Sequence, residues 1–364
     1  MRRNVNYQPP FVYFGGKSAV AEVVWNALGE DVLNYVEPFA GSAAVLFLRD
    51  EPGHIETIND ADGFVVNAWR SIKHDADAVA YYADDIVSEP DLHARHLWLV
   101  GQRESLTDRL CGDLDFYDPK VAGFWLWGIN AWIGSGWCSG RGPWISVDGV
   151  MTLRNTGQGV NRKLPHLGNT GQGVNRKRPH LRNTGQGVNR KLPHLSGNGS
   201  PGQGILRRDT GGQARSAWLR DYLAEFAARL RNVRVCCGDW SRVCGPSVTF
   251  RHGLTGVFLD PPYADSAART SDLYAVDCEQ VAHDVRRWAI EQGENPLMRI
   301  VLAGYDGEHE MPDSWHVHEW QTSGGYALQG EDGSDGRENR KRERLWFSPH
   351  CNHPNAAKQQ DLFA

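Results

Sequence analysis

Seven short apolar runs, each bounded by turn residues, punctuate the chain: VLNYVEP from residue 32, HIETIND from 54, VRVCCGDW from 233, TGVFLDPPY from 255, MRIVLAGY from 298, WHVHEW from 315 and RLWFSP from 344. Runs of this kind predict buried strands. Between them, over 18–29, 42–50, 62–85, 214–231 and 278–292, apolar residues recur at three- and four-residue intervals, which predicts helices with one buried face. Strands alternating with helices predict an α/β fold with a mainly parallel sheet, whose ligands lie outside the carboxyl ends of the strands.

The alternation fails between about 90 and 210. This stretch begins with the tryptophan- and glycine-dense FWLWGINAWIGSGWCSGRGPW. It continues with NTGQGVNRKLPHL at 155–167, repeated with one change at 169–181 and unaltered at 183–195. We read it as an insertion, with one core assembled from the segments on either side. The expected organisation is a first core part over 1–100, the insertion over 101–210 with its repeats at 155–196, a second core part over 211–350 and a flexible tail over 351–364. A chain of 364 residues is long enough for one large core with such an insertion.

Charge sharpens this picture. Between Asp148 and Asp209 there is no acidic residue, while eleven lysines and arginines fall there, although the whole chain carries a net charge of −5. A segregated basic block points to a polyanionic partner or to a solvated insert. No apolar run approaches the roughly 18 residues of a membrane span. The N-terminus lacks the apolar stretch of a secretory signal, so the expected location is the cytoplasm. The seven cysteines are scattered without a CxxC pair and are read as reduced thiols. HCNH at 350–353 is too isolated to define a metal site, and none is expected.

Three stretches carry chemistry. In VEPFAGSAAVLF, at 36–47, a strand ends in an acidic residue and a glycine turn opens a helix, so that backbone at Gly41 can approach a ligand closely. INDAD places Asp60 at a second carboxyl end, where it can accept from ribose hydroxyls or cap a helix. FLDPPYADS, at 258–266, combines the Asp260 carboxylate, carbonyls beside Pro261 and Pro262, and the Tyr263 ring. Acceptors beside a stacking surface suit a flat base with an exocyclic amine.

Taken in order, YFGGK (13–17), VEPFAGSAAV (36–45), NDAD (59–62), GDW (238–240), DPPY (260–263) and ERLWFSP (343–349) resemble the Dam-type, D12 class DNA adenine N6-methyltransferases. The order is that of the alpha group, with cofactor motif first, target recognition next and catalytic motif last. The resemblance implies a Rossmann-like seven-stranded methyltransferase core that uses S-adenosylmethionine, with double-stranded DNA as substrate, in a bacterial cell or phage-infected host. It matches Tyr13 and Lys17 to the motif closing over the cofactor, and Glu37, Phe39 and Gly41 to the cofactor loop. Asp60 matches the ribose carboxylate, Asp239 the acidic residue near the cofactor's adenine, and Asp260, Pro261, Pro262 and Tyr263 the catalytic motif. Ser42 and Ala43 stand where the family often has glycine. Other readings of the same residues are a cytosine-N4 or RNA amine methyltransferase, and a DNA-binding relative without activity.

For DNA contact, Asn130 and Arg141 have the planar geometry that base edges reward, whereas most of the nearby tryptophans are expected to form a small core. In the repeats Arg162, Lys163, Arg176, Lys177, Arg190 and Lys191 supply the basic pairs. Their glycine and proline content suits extended segments along phosphates, and near identity equally fits a tolerated duplication. KQQDLFA at the C-terminus resembles the peptide with which bacterial DNA-processing proteins dock on the sliding clamp, through Gln359, Asp361, Leu362 and Phe363.

Overall fold

A computed structural model of the chain describes residues 8–11, 13, 17–49, 55–132, 137–139, 144–147, 150–153, 205, 214–262, 273–320 and 343–352. Its strands are β1 (Asn34–Glu37), β2 (Ile55–Asp60), β3 (Trp144–Val147), β4 (Val150–Leu153), β5 (Val233–Cys237), β6 (Thr255–Leu259), β7 (Met298–Tyr305), β8 (His316–Glu319) and β9 (Glu343–Phe347). The helices are α1 (Ala21–Leu28), α2 (Ala44–Leu48), α3 (Gly63–Ala83), α4 (Glu89–Gly112), α5 (Pro119–Ala131), α6 (Arg215–Leu230) and α7 (Leu273–Gly293).

All seven apolar runs enter one seven-stranded sheet in the order β5-β2-β1-β6-β7-β9-β8, and β3 pairs with β4 separately. Strands β5, β2, β1, β6 and β7 are parallel, and β9 runs against both of its neighbours. Alternate residues bury on opposite faces, as the two-residue period of a strand requires. Tyr35, Phe258, Val301 and Phe347 join the layer built by α1, α2, α3 and α6. Val36, Val257, Leu259, Ile300 and Trp346 join Val285 and Ala289 of α7. With both faces covered, the chain order reverses between β1 and β6, which opens a crevice at their carboxyl ends.

Between α3 and β3 lie two helices that the apolar periodicity did not mark. Ser88 caps α4 by accepting from the Asp91 N–H, and Asp118 caps α5 by accepting from Val121, each with proline in the first turn. Helix α4 passes through residue 100, so the division expected there falls inside a helix. Helix α5 buries Trp125 and Trp127, in keeping with the small tryptophan core expected. Gly123 lets it lie close on α3, since a Cβ there would meet the Val79 carbonyl oxygen at 2.9 Å. Arg70 of α3 then ties the insertion to the sheet edge. Its Nε donates to the Val235 carbonyl, and Nη1 to the carbonyls of Leu110 and Asp113 at 3.1 and 3.0 Å, which satisfies the end of α4.

Candidate active site

The crevice gathers the ends of four strands. Glu37 is the last residue of β1, Asp60 the last of β2, Asp260 follows β6, and Asp239 follows β5 by two positions. Asn59 sets the spacing among them, because its Nδ2 donates to the carbonyls of Pro38 and Gly238 at 3.0 Å each. Asp60 fixes the turn after β1, accepting from the Gly41 N–H and the Asp62 N–H at 2.9 Å each.

That turn is left-handed twice, at Gly41 (φ 47°) and at Ala43 (φ 51°). Glycine suits such a backbone; alanine strains it by about 1 kcal/mol or more. Ala43 stands at one of the positions where glycine is frequent in the family, so the sequence departure coincides with a strained residue. Trp69 Nε1 holds the turn by donating to the Gly41 carbonyl at 2.9 Å. Tyr13 covers it so closely that a Cβ on Gly41 would lie 2.7 Å from the ring. The Tyr13 hydroxyl reaches Asp62 at 3.5 Å, and Asp62 caps α3 through the Phe64 N–H.

Lys17 crosses from the N-terminal motif to the other side of the crevice, and its Nζ lies 3.0 Å from Asp260 Oδ1. The ammonium is buried, at 4% exposure, so losing its partner would cost more than at a surface pair. Carboxylates nevertheless outnumber it. Glu37 is raised from 4.5 to about 8, first by burial and further by Asp260 and Asp60, although the Tyr35 hydroxyl donates to it at 3.0 Å. Asp60 is raised to about 6, again first by burial, against the N–H groups that stabilise its anion. Glu343, at the start of β9, is raised by burial and by Asp260 while Lys17 draws it down, and its Oε2 has no hydrogen-bond partner. Several protonatable carboxyls around one lysine form a receptor for positive charge.

At the outer side of the crevice the rings of Phe39 and Trp240 lie 6.3 Å apart and 27° from parallel. Asp239 is exposed beside them and caps a short turn through the Ser241 N–H at 2.9 Å. A cavity of about 380 Å³ is lined by Asp239, Trp240, Ser241, Asp284, Arg287, Trp288 and Glu291; it meets the crevice at Asp239 and leaves Lys17, Asp60 and Asp260 outside its lining.

The structure thus brings Tyr13, Lys17, Glu37, Phe39, Gly41, Asp60, Asp239, Asp260 and Pro261 to one edge of the sheet, with Pro262 exposed beside them. Asn130 sits apart, on α5, and its Nδ2 donates to the Pro10 and Leu126 carbonyls at 3.0 and 2.8 Å. Tyr263, Arg141, the repeat residues Arg162, Lys163, Arg176, Lys177, Arg190 and Lys191, and the tail residues Gln359, Asp361, Leu362 and Phe363 lie outside the described residues. Sequence reasoning passed over Asn59, Asp62 and Trp240. All three sit inside motifs it had already marked, NDAD and GDW, where proximity to Asp60 and Asp239 was the available signal.

A mixed seven-stranded sheet in this order, with helices on both faces, is consistent with a Rossmann-like methyltransferase fold. Residues 13–102 match the family model of D12 class N6 adenine-specific DNA methyltransferases. The matched span holds Tyr13, Lys17, Glu37, Phe39, Gly41 and Asp60 and stops before Asp260. It supports DNA adenine methylation as the general activity, with DNA as substrate. No curated protein matches the chain. Among the described residues, no helix is long and apolar enough to cross a membrane.

Proposed function

We propose that the chain methylates the N6 amine of adenine at a specific DNA sequence, using S-adenosylmethionine. The observation that carries this reading is the 3.0 Å contact between Lys17 and Asp260, which joins the N-terminal motif to the DPPY motif across the crevice between β1 and β6. The crevice also fits the cofactor chemically. Gly41 is pressed so close to Tyr13 that only backbone fits there, and the buried Glu37 holds a proton that a cation would displace.

When bound, S-adenosylmethionine supplies an electrophilic methyl on a positively charged sulfur. In this reading Asp60 accepts from the ribose hydroxyls, Phe39 and Trp240 offer apolar faces to the adenine, and Asp239 accepts from its amine. On the substrate side, Asp260 and the Pro261 carbonyl accept the two N6 hydrogens. This draws the nitrogen lone pair out of conjugation and orients it, a gain of positioning and charge stabilisation. Lys17 holds Asp260 in place through the 3.0 Å contact. The N6 proton turns acidic once the nitrogen is alkylated, and Asp260 is the group placed to receive it. Tyr263 provides a face for the flipped base, with about 1–3 kcal/mol of stacking to offset the few kcal/mol of unstacking.

Incubation with labelled S-adenosylmethionine and plasmid DNA, followed by digestion to nucleosides, tests the reading through the appearance of N6-methyladenine. For the insertion, the basic repeats are proposed to track phosphates. Deleting 155–196 is then expected to weaken DNA affinity and flatten its salt dependence; an unchanged salt slope would make the repeats a passenger. The C-terminal KQQDLFA is proposed as a clamp-docking peptide, to be tested by pull-down of the purified sliding clamp with and without Leu362→Ala and Phe363→Ala.

A further inference from the structure

Outside the crevice, one residue reaches toward both halves of the molecule. Cys138 lies in the tryptophan-rich part of the insertion, buried to 1% exposure, with a left-handed backbone at φ 60°. A residue other than glycine persists in that conformation only where its surroundings enforce it. Here both peptide groups of Cys138 are held from α4. Its N–H donates to His96 Nδ1 at 3.1 Å, and its carbonyl accepts from Arg103 Nη2 at 2.7 Å. Neighbouring rings complete the clamp: His96 stacks on Trp132 at 5.1 Å and 12°, and Trp137 Nε1 donates to the Trp125 carbonyl at 3.1 Å.

On its other side the Arg103 guanidinium lies 5.0 Å over the ring of Phe64, the second residue of α3, whose N–H donates to Asp62 at 2.9 Å. Its charge falls on Asp62 and Tyr13, favouring the ionised form of each against burial. Asp62 is bonded to the oxygen of Asp60 through its N–H, and Tyr13 covers Gly41. A single guanidinium therefore fixes a strained turn in the insertion and biases the carboxyl next to the ribose-binding position.

We propose that Arg103 is a positioning residue that couples the cofactor crevice to the insertion, so that DNA bound by the insertion tightens cofactor binding. The inference rests on the methyltransferase reading above. Coupling between two sites is reciprocal and is measured as a ratio of affinities; read at DNA concentrations that saturate each variant, that ratio is not moved by weaker DNA binding alone.

Equilibrium dialysis of labelled S-adenosylhomocysteine against the full chain, with and without plasmid DNA that the wild type methylates, reads that ratio. In the wild type, DNA is expected to tighten binding about five-fold or more; in Arg103→Met, which keeps an apolar stem over Phe64, the gain is expected to fall below about two-fold. Arg103→Lys, with a cation but no fork, is expected to fall between the two and serves if the methionine variant does not fold. A wild type that methylates DNA but shows no gain, or a variant whose gain equals the wild type's, overturns this inference alone. A wild type that methylates no plasmid overturns the reading of function and this inference with it.

Discussion

Two carboxyls on β2, four positions apart, sit in opposite circumstances. At Glu56 both oxygens meet Arg229, whose Nη1 and Nη2 lie 2.6 and 2.9 Å away, and the same guanidinium donates to the carbonyls of Leu46 and Arg49. Asp60 is half-buried at the strand's end, its partners are N–H groups and the nearest charges are other carboxyls, so its proton is held up to about pH 6. Glu37, one strand over, holds its proton to about 8. A buried charge matched within the fold serves the fold. Carboxyls left in excess at a crevice await a cation from outside, which is how a site differs from a brace.

Removing a partner on each side separates the two roles. Arg229→Met leaves Glu56 buried without its cation and is expected to cost about 3–5 kcal/mol of stability, measured by denaturant unfolding. The fraction that folds should methylate with nearly unchanged kcat. Lys17→Met is expected to do the reverse: kcat falls about 100-fold or more as Asp260 loses its orienting charge, with a smaller change in unfolding. A comparable loss of stability in both variants, with activity kept in both, would erase the distinction.

Glu37 sharpens the comparison through pH. Its carboxyl titrates at about 8 in the fold against 4.5 as the ordinary value. Between those values the unfolded chain has released the proton and the folded chain keeps it, so stability declines as pH rises through that window. Glu37→Gln abolishes this decline. The variant is expected to match wild type near pH 4.5 and to exceed it by about 1–3 kcal/mol at pH 8. It should bind S-adenosylmethionine more weakly, because an amide cannot ionise to meet the positive charge. Parallel stability curves for the two proteins across this range would contradict the account.

The sheet was legible because each strand is an apolar run closed by turn residues, and Glu37, Asp60 and Asp260 were legible because they stand where those runs end. Helix α4 escaped because its buried positions are few, namely His96, Leu99, Leu106 and Leu110 among 24 residues. The signals that would have found the insertion's elements are local: Ser88 before Glu89, Pro90 and Asp91, Asp118 before Pro119, and Asp148–Gly149 between WISV and VMTL. Arg103 and Asn59 could not be read from sequence in the same way. Their value lies in partners 35 and 179 residues away, Cys138 and Gly238, which only the fold brings within reach.

The central claim is that the Lys17–Asp260 pair marks the place where a DNA adenine is methylated. Wild-type protein and Asp260→Ala, incubated in parallel with labelled S-adenosylmethionine and plasmid DNA and digested to nucleosides, test it most directly. The account predicts labelled N6-methyladenine from the wild type and none above background from the variant, with cofactor binding retained in both. No N6-methyladenine from the wild type, or its undiminished formation by Asp260→Ala, would contradict it.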